Sequence, residues 1–110
     1  MRIPNHDRAF VPPEKLQLYL LNEAHPSGGY KAVLLRAFGY TLSNWETLAT
    51  DLLEIAATRD IVSKEEHEHG VNYAVDGVLQ TPVRRELPVR TVWFVRRGAE
   101  TASFVTAYPV

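Results

Sequence analysis

Apolar positions change period once along this chain. From Pro12 to Thr58 they recur every three or four residues; from Val71 onward they alternate. "PPEKLQLYLLN" (12–22) puts proline in a first helical turn and sets Leu16, Tyr19 and Leu20 on one stripe. "GYKAVLLRAFG" (29–39) aligns Tyr30, Leu34 and Phe38, with Gly39 as a C-terminal cap. In "SNWE" (43–46), Ser43 and Glu46 have the spacing of a capping box. That box opens a third helix through "NWETLATDLLEIAATR", with Trp45, Leu48, Leu52, Ile55 and Ala56 at helical spacing.

After Asp60 the strand pattern takes over. "SKEEHEHG" (63–70) reads as a charged loop or irregular edge, and "VNYAVDGVL" (71–79) as a half-buried strand. "QTPVRRELP" links it to "VRTVWFVRR" (89–97), which is apolar on both sides in its middle, as a central strand is. "RGAET" is a hairpin connection to a returning strand, "ASFVTAYP" (102–109). The prediction is an α+β fold: three N-terminal helices packed on one face of a three- to four-stranded antiparallel sheet centred on residues 89–96. Trp45, Leu48, Leu52, Val92 and Phe94 are the expected core.

A length of 110 residues, with 45% hydrophobic and 23% charged residues, suits one domain over residues 1–110. No stretch approaches a membrane span, and the N-terminus lacks a signal peptide's apolar segment. A cytoplasmic location, or delivery into a target cell's cytoplasm, is expected. The absence of cysteine removes disulfides, thiolate metal sites and cysteine nucleophiles. The net charge of -1 conceals two unlike segments. Residues 44–76 hold eight acidic side chains against Arg59 and Lys64; residues 84–110 hold five arginines against Glu86 and Glu100. One end can therefore face an anion although the whole is near neutral.

Chemistry concentrates in two places. The link "LNEAHPSGGYKA" (21–32) places His25 on a loop before a helix that Ser27 can cap, with Lys31 in its first turn. Free N–H groups there suit a phosphate, and Gly28 and Gly29 leave room for one. In the final strand, alternation sets Phe104, Thr106 and Tyr108 on one side and Ser103, Val105 and Ala107 on the other. Antiparallel pairing brings Arg90 and Thr91 beside Thr106 and Tyr108. "EEHEHG" offers His67 and His69 for a metal, but no second His or Cys group completes a ligand set. No nucleotide-binding or hydrolase signature occurs, so neither cofactor nor metal is expected.

From Pro13 to Pro109, and most specifically in "HPSGGYKA", "VRTVW" and "VTAYP", the chain resembles the bacterial DUF family 6883. That family's name carries no activity. More loosely, helices before an antiparallel sheet, with a last strand ending in a threonine before "YP", resemble the barnase–EndoU–colicin–RelE superfamily of ribonuclease toxins. This resemblance implies a metal-independent endoribonuclease toxin domain of a toxin–antitoxin or polymorphic toxin system. Its substrate would be RNA, and its site His25, Lys31, Arg90, Thr106 and Tyr108. His25 would act as base or acid, with the others holding the phosphate. A different class of function is also open: a non-enzymatic antitoxin or immunity protein, whose acidic segment 46–76 masks a basic partner.

Overall fold

A computed structural model describes residues 1–110. Its centre is a four-stranded antiparallel sheet in the order β1 (Ile61–His67), β2 (Gly70–Gln80), β3 (Glu86–Arg96) and β4 (Ser103–Pro109). The fold is α+β, but the expected three N-terminal helices need correction. There are two α-helices, both in the middle of the chain: α1 (Gly29–Ala37) and α2 (Trp45–Thr58). The first predicted helix is a single wide π-type turn, Lys15–Leu20, closed by the Leu21 N–H on the Leu16 carbonyl at 2.8 Å. Six residues are too few to repay the nucleation of a free α-helix, so tertiary contacts set the winding.

That winding buries Leu16 and Leu20 completely but leaves Tyr19 half-buried, aimed at β4 rather than the core. Helix α1 also turns differently from its pattern. Lys31, Ala32 and Leu35 are buried, whereas Tyr30 is 67% exposed. Gly39, at φ +95°, ends the helix as expected, and the Tyr40 N–H returns to the Leu35 carbonyl. The capping box sits two residues earlier than read. Thr41 and Asn44 form it, with the Thr41 N–H on Asn44 Oδ1 at 2.7 Å, before α2 begins at Trp45.

Leu48, Leu52, Ile55 and Ala56 of α2 face the sheet, and Gly77 of β2 lies so close to Ile55 that a Cβ would collide with it. On β3 the buried residues are Leu87, Val89, Thr91 and Trp93, while Val92 and Phe94, expected in the core, are half-buried on the opposite face, as is Trp45 on its helix. An all-apolar strand gives no sign of which parity faces inward. Thr91 is tolerated at 0% exposure because its hydroxyl donates to the Val75 carbonyl and accepts from the Trp93 indole. The sheet thus has one face packed and one face open, as antiparallel sheets often do. No helix is long and apolar enough to cross a membrane.

Candidate functional site

Pairing in β4 decides which side chains meet. A register shift between Val92 and Trp93 pairs Val92 with Thr106 and Trp93 with Phe104, leaving Val105 as a bulge. The expected grouping of Phe104 with Thr106 and Tyr108 is therefore broken. Phe104 and Ala107 are buried in the core, and Thr106 and Tyr108 share the open face with Arg90. Arg90 pairs with Tyr108 as foreseen, whereas Thr91 pairs with Ala107 on the packed face.

Three polar groups close a triangle at the β4 edge. Lys31 Nζ donates to Tyr19 Oη at 2.8 Å and to Thr106 Oγ1 at 3.1 Å, and the two hydroxyls lie 2.8 Å apart. Lys31 is 9% exposed and forms no ion pair. Its stem lies among Leu20, Leu34, Leu35 and Ala107. The rings of Tyr19, Tyr30 and Tyr108 lie 5.4, 5.7 and 5.9 Å from Nζ. The Tyr19 and Thr106 hydroxyls, with the Tyr30 and Tyr108 rings beside them, partly replace the water lost on burial. A buried cation without a carboxylate retains electrostatic capacity for an incoming anion.

Tyr19 was not among the residues singled out by sequence; its stripe position marked it as core. Burial pushes its phenol up, but the hydrogen bonds with Lys31 and Thr106 and the charges of Lys31 and Lys15 outweigh this, so its pKa lies below the ordinary tyrosine value. Gly28 serves this ring rather than a ligand. A Cβ there would stand 2.7 Å from Tyr19 Cδ1.

His25 meets Tyr19 edge-on, with ring centroids 4.9 Å apart. Its Nδ1 accepts the N–H groups of Ser27 at 3.1 Å and Gly28 at 3.0 Å. The histidine therefore organises the chain entering α1, in place of the expected Ser27 cap. Two donors on Nδ1 fix the neutral ring's proton on Nε2. Arg90 stands one strand further in, beside Tyr108. Asp76 on β2 holds it at both ends, Nε to Oδ1 at 2.7 Å and Nη2 to Oδ2 at 2.9 Å. The hydrogen bond from Arg90 holds the Asp76 carboxyl below its ordinary range, and Asp76, with a smaller contribution from Tyr108, raises the guanidinium further. Thr106, Tyr108 and Tyr19 are thus brought together around Lys31. His25 borders the group through Tyr19, and Arg90 borders it through Tyr108. No three His, Asp or Glu side chains gather in a way that could hold a metal ion.

No curated protein sequence matches the chain. Among solved structures, it is similar to one described as a contact-dependent growth inhibition toxin–immunity protein complex from Klebsiella pneumoniae 342. The TM-score is 0.72 at 14% identity, over 94% of this chain and 95% of that one. At this identity the likeness establishes a shared fold. Residues 2–110 match a family described as a domain of unknown function, and the chain belongs to that family, DUF6883.

Proposed function

We propose that the chain is a metal-independent endoribonuclease toxin domain of a toxin–antitoxin or polymorphic toxin system, acting in the cytoplasm and held in check by a cognate antitoxin or immunity protein. The observation that carries this reading is the buried Lys31 ammonium, bonded to two hydroxyls and to no carboxylate. The shared fold with a chain of a toxin–immunity complex and the resemblance to ribonuclease toxins support it.

In the reaction, the ribose 2′-oxygen bonds to the adjacent phosphorus and the bond to the 5′-oxygen breaks. A cyclic 2′,3′-phosphate and a 5′-hydroxyl result. Lys31, Thr106, Tyr108 and the N–H groups of Arg90 left over by Asp76 hold the phosphate oxygens, and Lys31 opposes the charge that develops on them. The 2′-OH proton passes to Tyr19 in its ionised form, which the lowered pKa makes more accessible. The leaving 5′-oxygen takes its proton from water, since the neutral His25 ring, whose Nδ1 accepts two N–H groups, has no acidic proton to give; His25 positions the chain that carries Lys31. Expression of the chain alone should arrest growth, and purified protein should cleave RNA in the presence of a metal chelator. Thr106→Val should relieve both effects.

A second reading has its own observation. The edge strand β1 is exposed along Glu65 and Glu66, and Glu68 follows in the turn. Such an acidic edge fits an immunity protein covering a basic partner. Normal growth on expression, no RNA cleavage, and protection against a co-expressed toxin would favour it.

A further inference from the structure

At the far end of the open face, "EEHEHG" and "VRRG" come together in a way that the Lys31 cluster does not use. The rings of His67 and Phe94 are parallel within 6°, with centroids 5.4 Å apart. Gly70 makes this possible, because a Cβ there would lie 2.9 Å from the Phe94 ring. The Arg97 N–H on the His69 carbonyl, at 2.8 Å, ties the two hairpin ends together. A cleft of about 400 Å³ at the same end of the sheet is lined by Glu66, Val71 and Val95 on the packed face and by His67, Arg96 and Arg97, while the Phe94 ring stands on the open face outside it. His67, Arg96 and Arg97 are exposed, neither arginine is in an ion pair, and Glu66 leans to Lys64 at 3.7 Å. Strand alternation puts Phe94 and Arg96 on the same face as Arg90, about 13 and about 20 Å along β3.

We propose that His67, Phe94, Arg96 and Arg97 form a second subsite for single-stranded RNA, in which an unpaired base stacks on the ring platform and the arginines take its phosphates. This rests on the ribonuclease reading for its choice of RNA. A flat ring pair beside unpaired arginines is the combination that single-stranded nucleic acid uses, since every base has a π face and every linkage a charge. The distance means that one strand spans several nucleotides between subsite and Lys31. The arginine-rich C-terminal segment thereby gains a use that the phosphate site alone leaves open.

The test uses a labelled single-stranded oligonucleotide of about a dozen nucleotides, with 2′-O-methyl riboses so that it binds but cannot be cut. The wild-type protein should bind it. His67→Ala should weaken binding at least about fivefold by removing stacking. Arg96→Gln with Arg97→Gln should weaken it and reduce the salt slope by about one to two. These side chains are exposed, so the variants should fold, and both should cleave a dinucleotide, too short to reach the subsite, like wild type. Failure of the wild type to bind, or wild-type affinity in His67→Ala, overturns the subsite. Sensitivity to the arginines alone also overturns it, and leaves a general polyanion patch. Loss of binding in the variants with no cleavage of unmodified RNA by any form would keep the subsite and sink the ribonuclease reading.

Discussion

Tyr40 and Tyr19 are both phenols hydrogen-bonded to a charged side chain, and their surroundings push them in opposite directions. Tyr40 is completely buried behind α1 and donates to Asp51 of α2 at 2.6 Å. Burial and the carboxylate both resist its ionisation, so its pKa is raised. Tyr19, at the β4 edge, accepts from Lys31 and has a lowered pKa. A phenol facing an anion is a fixed donor that fastens the link after α1 to α2. One facing a cation becomes the more acidic of the two and is available for proton transfer. The sign of the neighbouring charge separates a structural tyrosine from a candidate chemical one.

The largest stability effect belongs to the structural side. Tyr40→Phe leaves the Asp51 carboxylate without its donor and should cost about 1–3 kcal/mol, read as a lower midpoint in thermal or denaturant unfolding. RNA cleavage should be unchanged. His25→Ala removes the acceptor for two backbone N–H groups before α1 and should cost about 1 kcal/mol. Cleavage should also fall, and a variant with full activity would show the histidine to be purely structural.

Asp76→Asn should cost less than about 1 kcal/mol, since the Asp76–Arg90 pair is about a third exposed and screened by salt. The Asp76 pKa is depressed in the folded state, so its contribution is present above the unfolded carboxylate pKa and is lost as pH falls through the folded value. Wild type and variant should therefore converge in stability in acid. Tyr19→Phe should change stability least, because Lys31 and Thr106 keep each other. An ultraviolet titration should nevertheless lose a phenol that ionises below the ordinary tyrosine range, and cleavage should no longer rise as pH increases toward that ionisation.

Helix α2 and strands β2, β3 and β4 were legible because their periods are long and regular: Leu48, Leu52 and Ile55 on one face, and Tyr73 and Val75 alternating. Strand β1 was not, since "SKEEHEHG" carries charge on both faces of an exposed edge and so reads as a loop. The first segment was not, since i, i+3, i+4 spacing at Leu16, Tyr19 and Leu20 looks the same whether the turn is α or wider. That one-turn difference hid Tyr19. Lys31 and Thr106 were readable as candidates from their elements, but their contact depends on the β4 bulge, and no residue in "SFVTAYP" marks a bulge. Asp76 was counted only as part of an acidic run. Its pairing with Arg90 is a matter of register, which alternation alone leaves undetermined.

On the proposed reading, Lys31 is kept buried and without a counter-ion for an anionic substrate, at some cost to stability. Lys31→Met, of similar length and without charge, tests it in one preparation by melting and by RNA cleavage. The midpoint should stay the same or rise, because a desolvated ammonium is replaced by apolar volume. Cleavage should fall by about 100-fold or more, the scale of removing one group that opposes developing charge. Cleavage close to wild type, or a collapse of the melting midpoint that makes the lysine structural, would contradict it.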